Sequence, residues 1–173
     1  MDGEPSLKDK VASYQSGWKK EDPLAGYRET LEGGDAESGR KIFRDKAEAS
    51  CLKCHKVKGQ GGEVGPELAG IGAQKTREYL LESLLLPNKD IAQGFAQVVL
   101  LLKSEAVESG RIETETPTEV ALLLADGTRK KIAAKDIQAR KVGLSPMPED
   151  LVKKLSKREL RDLVEFLASL KDQ

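Results

Sequence analysis

Apolar positions recur at helical spacing towards both ends of the chain and crowd into short runs between about residues 96 and 140. Near the start, Leu7, Val11, Tyr14 and Trp18 follow one another at intervals of four, three and four, a single narrow helical stripe that Pro23 to Tyr27 interrupts. Asp35 is placed to cap a second helix through Gly39, Ile42 and Phe43, with Glu37 suited to the positive end of its first turn. That helix leads into Cys51. Residues 76–86 predict another, with Tyr79, Leu80, Ser83 and Leu84 on one side and Pro87 to stop it. The clearest helix is the last: Ser156-Lys157-Arg158-Glu159 is a capping box, and Leu160, Leu163, Val164 and Leu167 follow it. Gly39 reads either as a surface glycine or as the point where the first of these capped helices crosses the last, and the nearby Phe43 favours the crossing.

Between these helices the period changes. Residues 96–103, 109–115, 119–125 and 129–133 are rich in Val, Ile, Leu and Thr, and Asp126-Gly127 is a hairpin turn between the last two. Four or five short twisted strands over a limited apolar face tend to curl, so a small antiparallel meander or barrel is expected at about 96–140. The expected class is α+β: a mainly helical domain over residues 34–173 with this β insertion, preceded by a helical arm or linker over residues 1–33. The arm is expected to pack either on that domain or on a domain no longer attached.

Composition bounds the partners. The chain has 173 residues, enough for one domain with an insertion, and 29 basic residues balance 29 acidic ones. A net charge of zero provides no global field for nucleic acid or an anionic membrane. The longest strongly apolar run, Val98 to Leu102, is far too short to span a bilayer, so no transmembrane segment is expected. Aromatic residues make up only 4% of the chain, which suits a core completed by a bulky apolar cofactor.

The candidate cofactor site is Cys51-Leu52-Lys53-Cys54-His55, the attachment pattern of c-type haem. Structural zinc requires four ligands, usually as two separated pairs, and fits poorly. A thioredoxin-like pair would follow a buried strand, whereas residues 44–50 are polar, and a structural disulfide is also disfavoured. His55 is the only histidine, and Met147, between Pro146 and Pro148, is the only methionine besides Met1. The site is therefore read as one haem c with iron between His55 and Met147.

With Gly65-Pro66-Glu67-Leu68 downstream of the motif and a late methionine, the chain resembles class I cytochromes c. The resemblance implies that the Pro66 carbonyl accepts the His55 Nδ1 proton, that Leu68 belongs to the haem site, and that the 76–86 helix lines the haem pocket. Met147 departs from the simple pattern by lying far beyond that helix. A narrower resemblance, carried by Asp22-Pro23-Leu24, Leu31 to Asp35, Leu86-Pro87-Asn88-Lys89, Asp126-Gly127 and Met147-Pro148, is to the C-terminal haem-binding C-x-x-C-H domains of large exported proteins of Planctomycetes and Verrucomicrobia. It implies a detached electron-transfer module that was fused to, or partnered by, a dehydrogenase.

An iron with two protein ligands has no open substrate position, so one-electron relay is the expected function and no catalytic residue is assigned. Two competitors remain: a sensor or peroxidase-like haem with a labile Met147, and a protein-binding module that uses the β insertion. Lys153, Lys154, Lys157, Arg158 and Arg161 form a basic cluster that is either a docking surface for an acidic redox partner or a solvated helix face. Residues 1–5 lack the basic start and apolar stretch of a signal peptide, yet covalent haem attachment is normally completed outside the cytoplasm. The expectation is a piece of a longer exported, periplasmic-type protein.

Overall fold

The computed structural model describes residues 6–16 and 22–172. Trp18 of the N-terminal stripe lies outside them, as does the side chain of Tyr14. The helices are α1 (Leu7–Ser16), α2 (Ala36–Asp45), α3 (Cys51–Cys54), α4 (Ile71–Gln74), α5 (Arg77–Leu85) and α6 (Lys157–Ser169). The strands are β1 (Lys56–Val57), β2 (Gln60–Gly61), β3 (Val98–Leu102), β4 (Val107–Glu115), β5 (Glu119–Leu123), β6 (Arg129–Ala133) and β7 (Ile137–Val142).

The helical core forms where α2 crosses α6. Asp35 caps α2 by accepting the Ser38 N–H at 2.7 Å, and the buried Asp162 of α6 accepts the Asp35 N–H at 2.9 Å, so two orphan donors at this helix start are satisfied. A Cβ on Gly39 would lie 2.0 Å from the Asp162 carbonyl oxygen and 2.7 Å from the Phe166 Cβ. Only glycine permits this approach. One turn on, the Phe43 and Phe166 rings pack with centroids 5.5 Å apart. The Ser156/Glu159 capping box starts α6, and Leu160, Leu163, Val164 and Leu167 are buried along it. Each such leucine contributes about 1.5–3 kcal/mol through removal of apolar surface from water.

Thr76 caps α5, whose buried residues are Leu80, Leu81 and Leu84. The buried face therefore centres on Leu81, while Tyr79 and Ser83, expected on that face, are half-buried. The Tyr79 hydroxyl instead donates to Asp90 at 2.9 Å. Upstream of residue 34, Leu24 and Leu31 are buried in the same core as α6, with a 3₁₀ turn at Ala25–Thr30 between them. That part of the expected linker is core. In α1, by contrast, Leu7 and Val11 are 79% and 45% exposed.

The long strands form one antiparallel sheet in the order β6-β5-β4-β3-β7. Strand β4 pairs with β3 through residues 107–110 and with β5 through residues 111–115, so it is shared by two half-sheets. Leu100 is opposite both Glu108 of β4 and Arg140 of β7. On a flat sheet, Glu115, seven residues beyond Glu108, would be about 20 Å further along the strand. Arg140 nevertheless binds Glu115 with both terminal nitrogens, at 2.8 and 3.1 Å. The sheet is therefore strongly curled, over a core of Val98, Leu100, Val120, Leu122 and Ile132. Because β6 and β7 stand at opposite ends of the hydrogen-bonded order, this curled sheet is not closed into a barrel by strand pairing. The strands that come first and last along the chain, β3 and β7, are neighbours, with Val98 opposite Val142, and Gly143 N–H donates to the Gln97 carbonyl at 2.8 Å. The chain thus enters and leaves the sheet at neighbouring points.

Candidate haem site

Cys51 and Cys54 begin and end a single helical turn, α3, entered through Ser50 in the left-handed conformation. The following segment folds back on this turn by main-chain hydrogen bonds: Gly62 N–H to the Leu52 carbonyl at 2.9 Å, Gly65 N–H to Cys54 at 2.8 Å, and Leu68 N–H to Lys56 at 2.8 Å. The β1–β2 hairpin forms the bend. This return brings Pro66 to the imidazole, with its carbonyl oxygen 2.9 Å from His55 Nδ1. A Cβ on Gly65 would lie 2.5 Å from His55 Cε1, so the backbone lies against the ring face where a side chain would not fit.

The electrostatics match the contacts. Burial pushes the His55 pKa down, against the opposing effect of the Pro66 hydrogen bond, and so favours the neutral imidazole. With Nδ1 turned to Pro66, Nε2 is the nitrogen available to a metal, because no hydrogen bond engages it among the described residues. Burial pushes the Cys51 thiol up to about 11 and raises Cys54 as well. Both are free and half-buried. They are uncharged thiols at neutral pH, unlike the thiolates of an activated redox pair.

Cys51, Leu68 and Met147 border the same helical core, together with Leu52, Val57 and Ile71. Each of these predicted site residues therefore packs against the same helical core. The Met147 segment is held by Asn88, which the sequence analysis named only within the Leu86-Pro87-Asn88-Lys89 stretch that carries the narrower resemblance, with no role of its own. Asn88 Oδ1 accepts the Ser145 N–H at 2.7 Å, Asn88 Nδ2 donates to Glu149 at 2.5 Å, and Ser145 Oγ accepts the Met147 N–H at 3.2 Å. The only signal in the sequence is an asparagine directly after a helix-stopping proline, a setting where its short amide readily bonds backbone.

Residues 36–102 match the cytochrome c family. Proteins of this family carry covalent haem c with iron and act as electron carriers, and the matched segment contains both cysteines, His55, Pro66, Leu68 and Asn88. It ends before Met147. A cytochrome c of Cochliobolus lunatus is 41% identical over 47 residues, a stretch that covers 27% of this chain and 40% of that protein. The comparison thus reaches about two fifths of the relative's length.

The basic cluster is only partly free. Lys157 pairs with Glu29 and lies over the Tyr27 ring, and Lys154 lies 3.6 Å from Asp150. A second group of charges joins the sheet to the histidine loop: Arg129 binds Glu63 and Glu113, each at 2.8 Å, and Arg111 donates to the Glu63 carbonyl at 3.1 Å. No helix among the described residues is long and apolar enough to cross a membrane.

Proposed function

We propose that the chain is a monohaem c-type electron-transfer domain in which Cys51 and Cys54 would hold the haem covalently and His55 and Met147 would ligate its iron. The observation that carries this reading is the His55 ring, held through Nδ1 by Pro66 with Nε2 unengaged among the described residues, directly after two half-buried thiols in a segment that matches the cytochrome c family. Bound haem c supplies one-electron exchange between ferric and ferrous iron. The chain's residues supply attachment, orientation and an apolar wall.

The donor set fits the group. Cys51 and Cys54 would hold the group through uncharged thioethers, which suits sulfurs whose surroundings disfavour the thiolate. Pro66 fixes the imidazole tautomer and strengthens Nε2 as a donor. Leu68 contributes to the wall. Arg111, with Nε buried and without a hydrogen-bond partner among the described residues, offers a donor to a haem carboxylate.

In this reading residues 34–173 form the cytochrome unit, the sheet is an insertion between α5 and the methionine loop, and the unit works in an exported, periplasmic-type setting. Its partner is a redox protein or a fused dehydrogenase. Membership of the Planctomycetes and Verrucomicrobia type of module is part of the same proposal.

The test is the absorption spectrum of chain matured with its haem, oxidised and then reduced. A ferric sulfur-to-iron band that disappears in Met147→Ala supports the His55/Met147 pair. Attached haem without that band, together with ready carbon monoxide binding when reduced, favours the labile-ligand sensor or peroxidase reading instead.

A further inference from the structure

We infer that Asn88 is the positioning residue that locks the Met147 loop, and thereby decides whether the sixth ligand is held or labile; the inference rests on Met147 being that ligand. Asn88 stands just beyond α5, in a turn closed by the Lys89 N–H to Leu86 carbonyl hydrogen bond of 2.9 Å, with Pro87 buried beneath it. Its amide is thus presented from the end of a helix packed on α6. From there it bonds both ends of the segment Ser145-Pro146-Met147-Pro148-Glu149, at the Ser145 N–H and at the Glu149 carboxylate.

The segment has little means of holding itself. Pro146 and Pro148 have no N–H to give, which leaves the Ser145, Met147 and Glu149 amides as its main-chain donors. Asn88 takes the first directly, and the hydroxyl of Ser145, the residue it anchors, takes the second. A primary amide suits the task because one end accepts while the other donates. Aspartate would keep the bond to Ser145 but set a second carboxylate against Glu149.

These requirements separate the variants. Asn88→Leu keeps the bulk and loses both bonds. Asn88→Asp loses one and adds repulsion, while Asn88→Asp combined with Glu149→Gln restores an acceptor and a donor with the roles exchanged. The experiment measures, on the haem-loaded chain, the ferric sulfur-to-iron band and the rate of carbon monoxide binding to the reduced form, with thermal unfolding as the control for the fold.

Asn88→Leu is expected to weaken the band and speed carbon monoxide binding about tenfold, the ratio for two solvent-accessible hydrogen bonds each at the low end of the usual net contribution. Asn88→Asp is expected to behave likewise and the double variant to recover, a pattern that still tests the idea if the leucine variant does not fold. Wild-type band and rate in Asn88→Leu or Asn88→Asp, in a chain that melts normally, overturn the inference alone. A wild-type chain with attached haem but no band overturns the ligand assignment on which it rests.

Discussion

The two sides of the candidate haem site are built by different means. On the histidine side everything is local: two thiols on one turn, an imidazole next to them, and an acceptor 11 residues away brought back by three main-chain hydrogen bonds. On the methionine side the ligand candidate sits in a proline-bracketed loop whose anchor, Asn88, lies 57 residues from its Ser145 partner, with the sheet between them. A local side is fixed as soon as its turn forms. A non-local side bears the loop-closure entropy of the intervening chain, which only the completed fold offsets.

The sharpest break in this comparison is chemical. Cys51→Ala with Cys54→Ala is expected to abolish covalent haem completely, read by the haem absorbance that remains with the denatured chain. Met147→Ala is expected to leave attachment intact, remove the sulfur-to-iron band and open the reduced iron to carbon monoxide. If Met147→Ala also prevented attachment, the two sides would not be separable as described.

Next in size is a change that undermines both sides together. Both α3 and the methionine loop pack against the helical core, and that core depends on the absence of a side chain at Gly39. Gly39→Ala sets a methyl against the Asp162 carbonyl, where main chain must move to admit it. The expected cost is about 3 kcal/mol, the upper part of the range for overpacking, as a lowered midpoint in chemical unfolding. A midpoint within error of wild type would mean that the helices part without penalty.

Gly65→Ala is expected to act on the histidine side alone. Its methyl would meet the His55 ring, which is pinned through Nδ1, so either the ring turns or the Pro66 bond is lost. A cost of about 1–2 kcal/mol is expected. It should appear with a changed reduction potential, because the histidine's donor strength depends on that bond. Unaltered potential would show that the methyl is absorbed elsewhere.

What the sequence discloses follows the same division. Asp35, the Ser156/Glu159 box and the Cys51 to His55 motif are signals contained within a few residues, and each has the local geometry that its spacing predicts. Gly39 was legible because an aromatic residue one turn away favoured a helix crossing. Strand β7 was missed because all but its first residue are exposed, so its sequence, Ile137 to Val142, has no buried alternation to read. The burial of Leu24 and Leu31 escaped because two leucines around a 3₁₀ turn show no helical or strand period. Asn88 follows the proline that stops its helix, but its partner lies beyond an entire sheet, and no local spacing reports such a pairing.

The smallest expected effect is electrostatic, and it sharpens the comparison by testing what ties the histidine side to the terminal helix. Lys46, just past α2 on the approach to Cys51, binds Glu159 of the α6 capping box at 2.7 Å. The ammonium, together with the Ser156 hydrogen bonds, holds the Glu159 carboxyl at about 2 against an ordinary 4.5. A carboxyl depressed in the folded state contributes stability that is present above its unfolded pKa and is lost as pH falls through the folded value. The contribution is therefore full at neutral pH and disappears between about pH 4.5 and pH 2. Lys46→Met should raise the midpoint of acid unfolding slightly and leave the neutral absorption spectrum unchanged, because Ser156 still caps the helix. An altered haem spectrum at neutral pH would instead mean that this pair orients the attachment turn, and that the histidine side is less self-contained than its local hydrogen bonds imply.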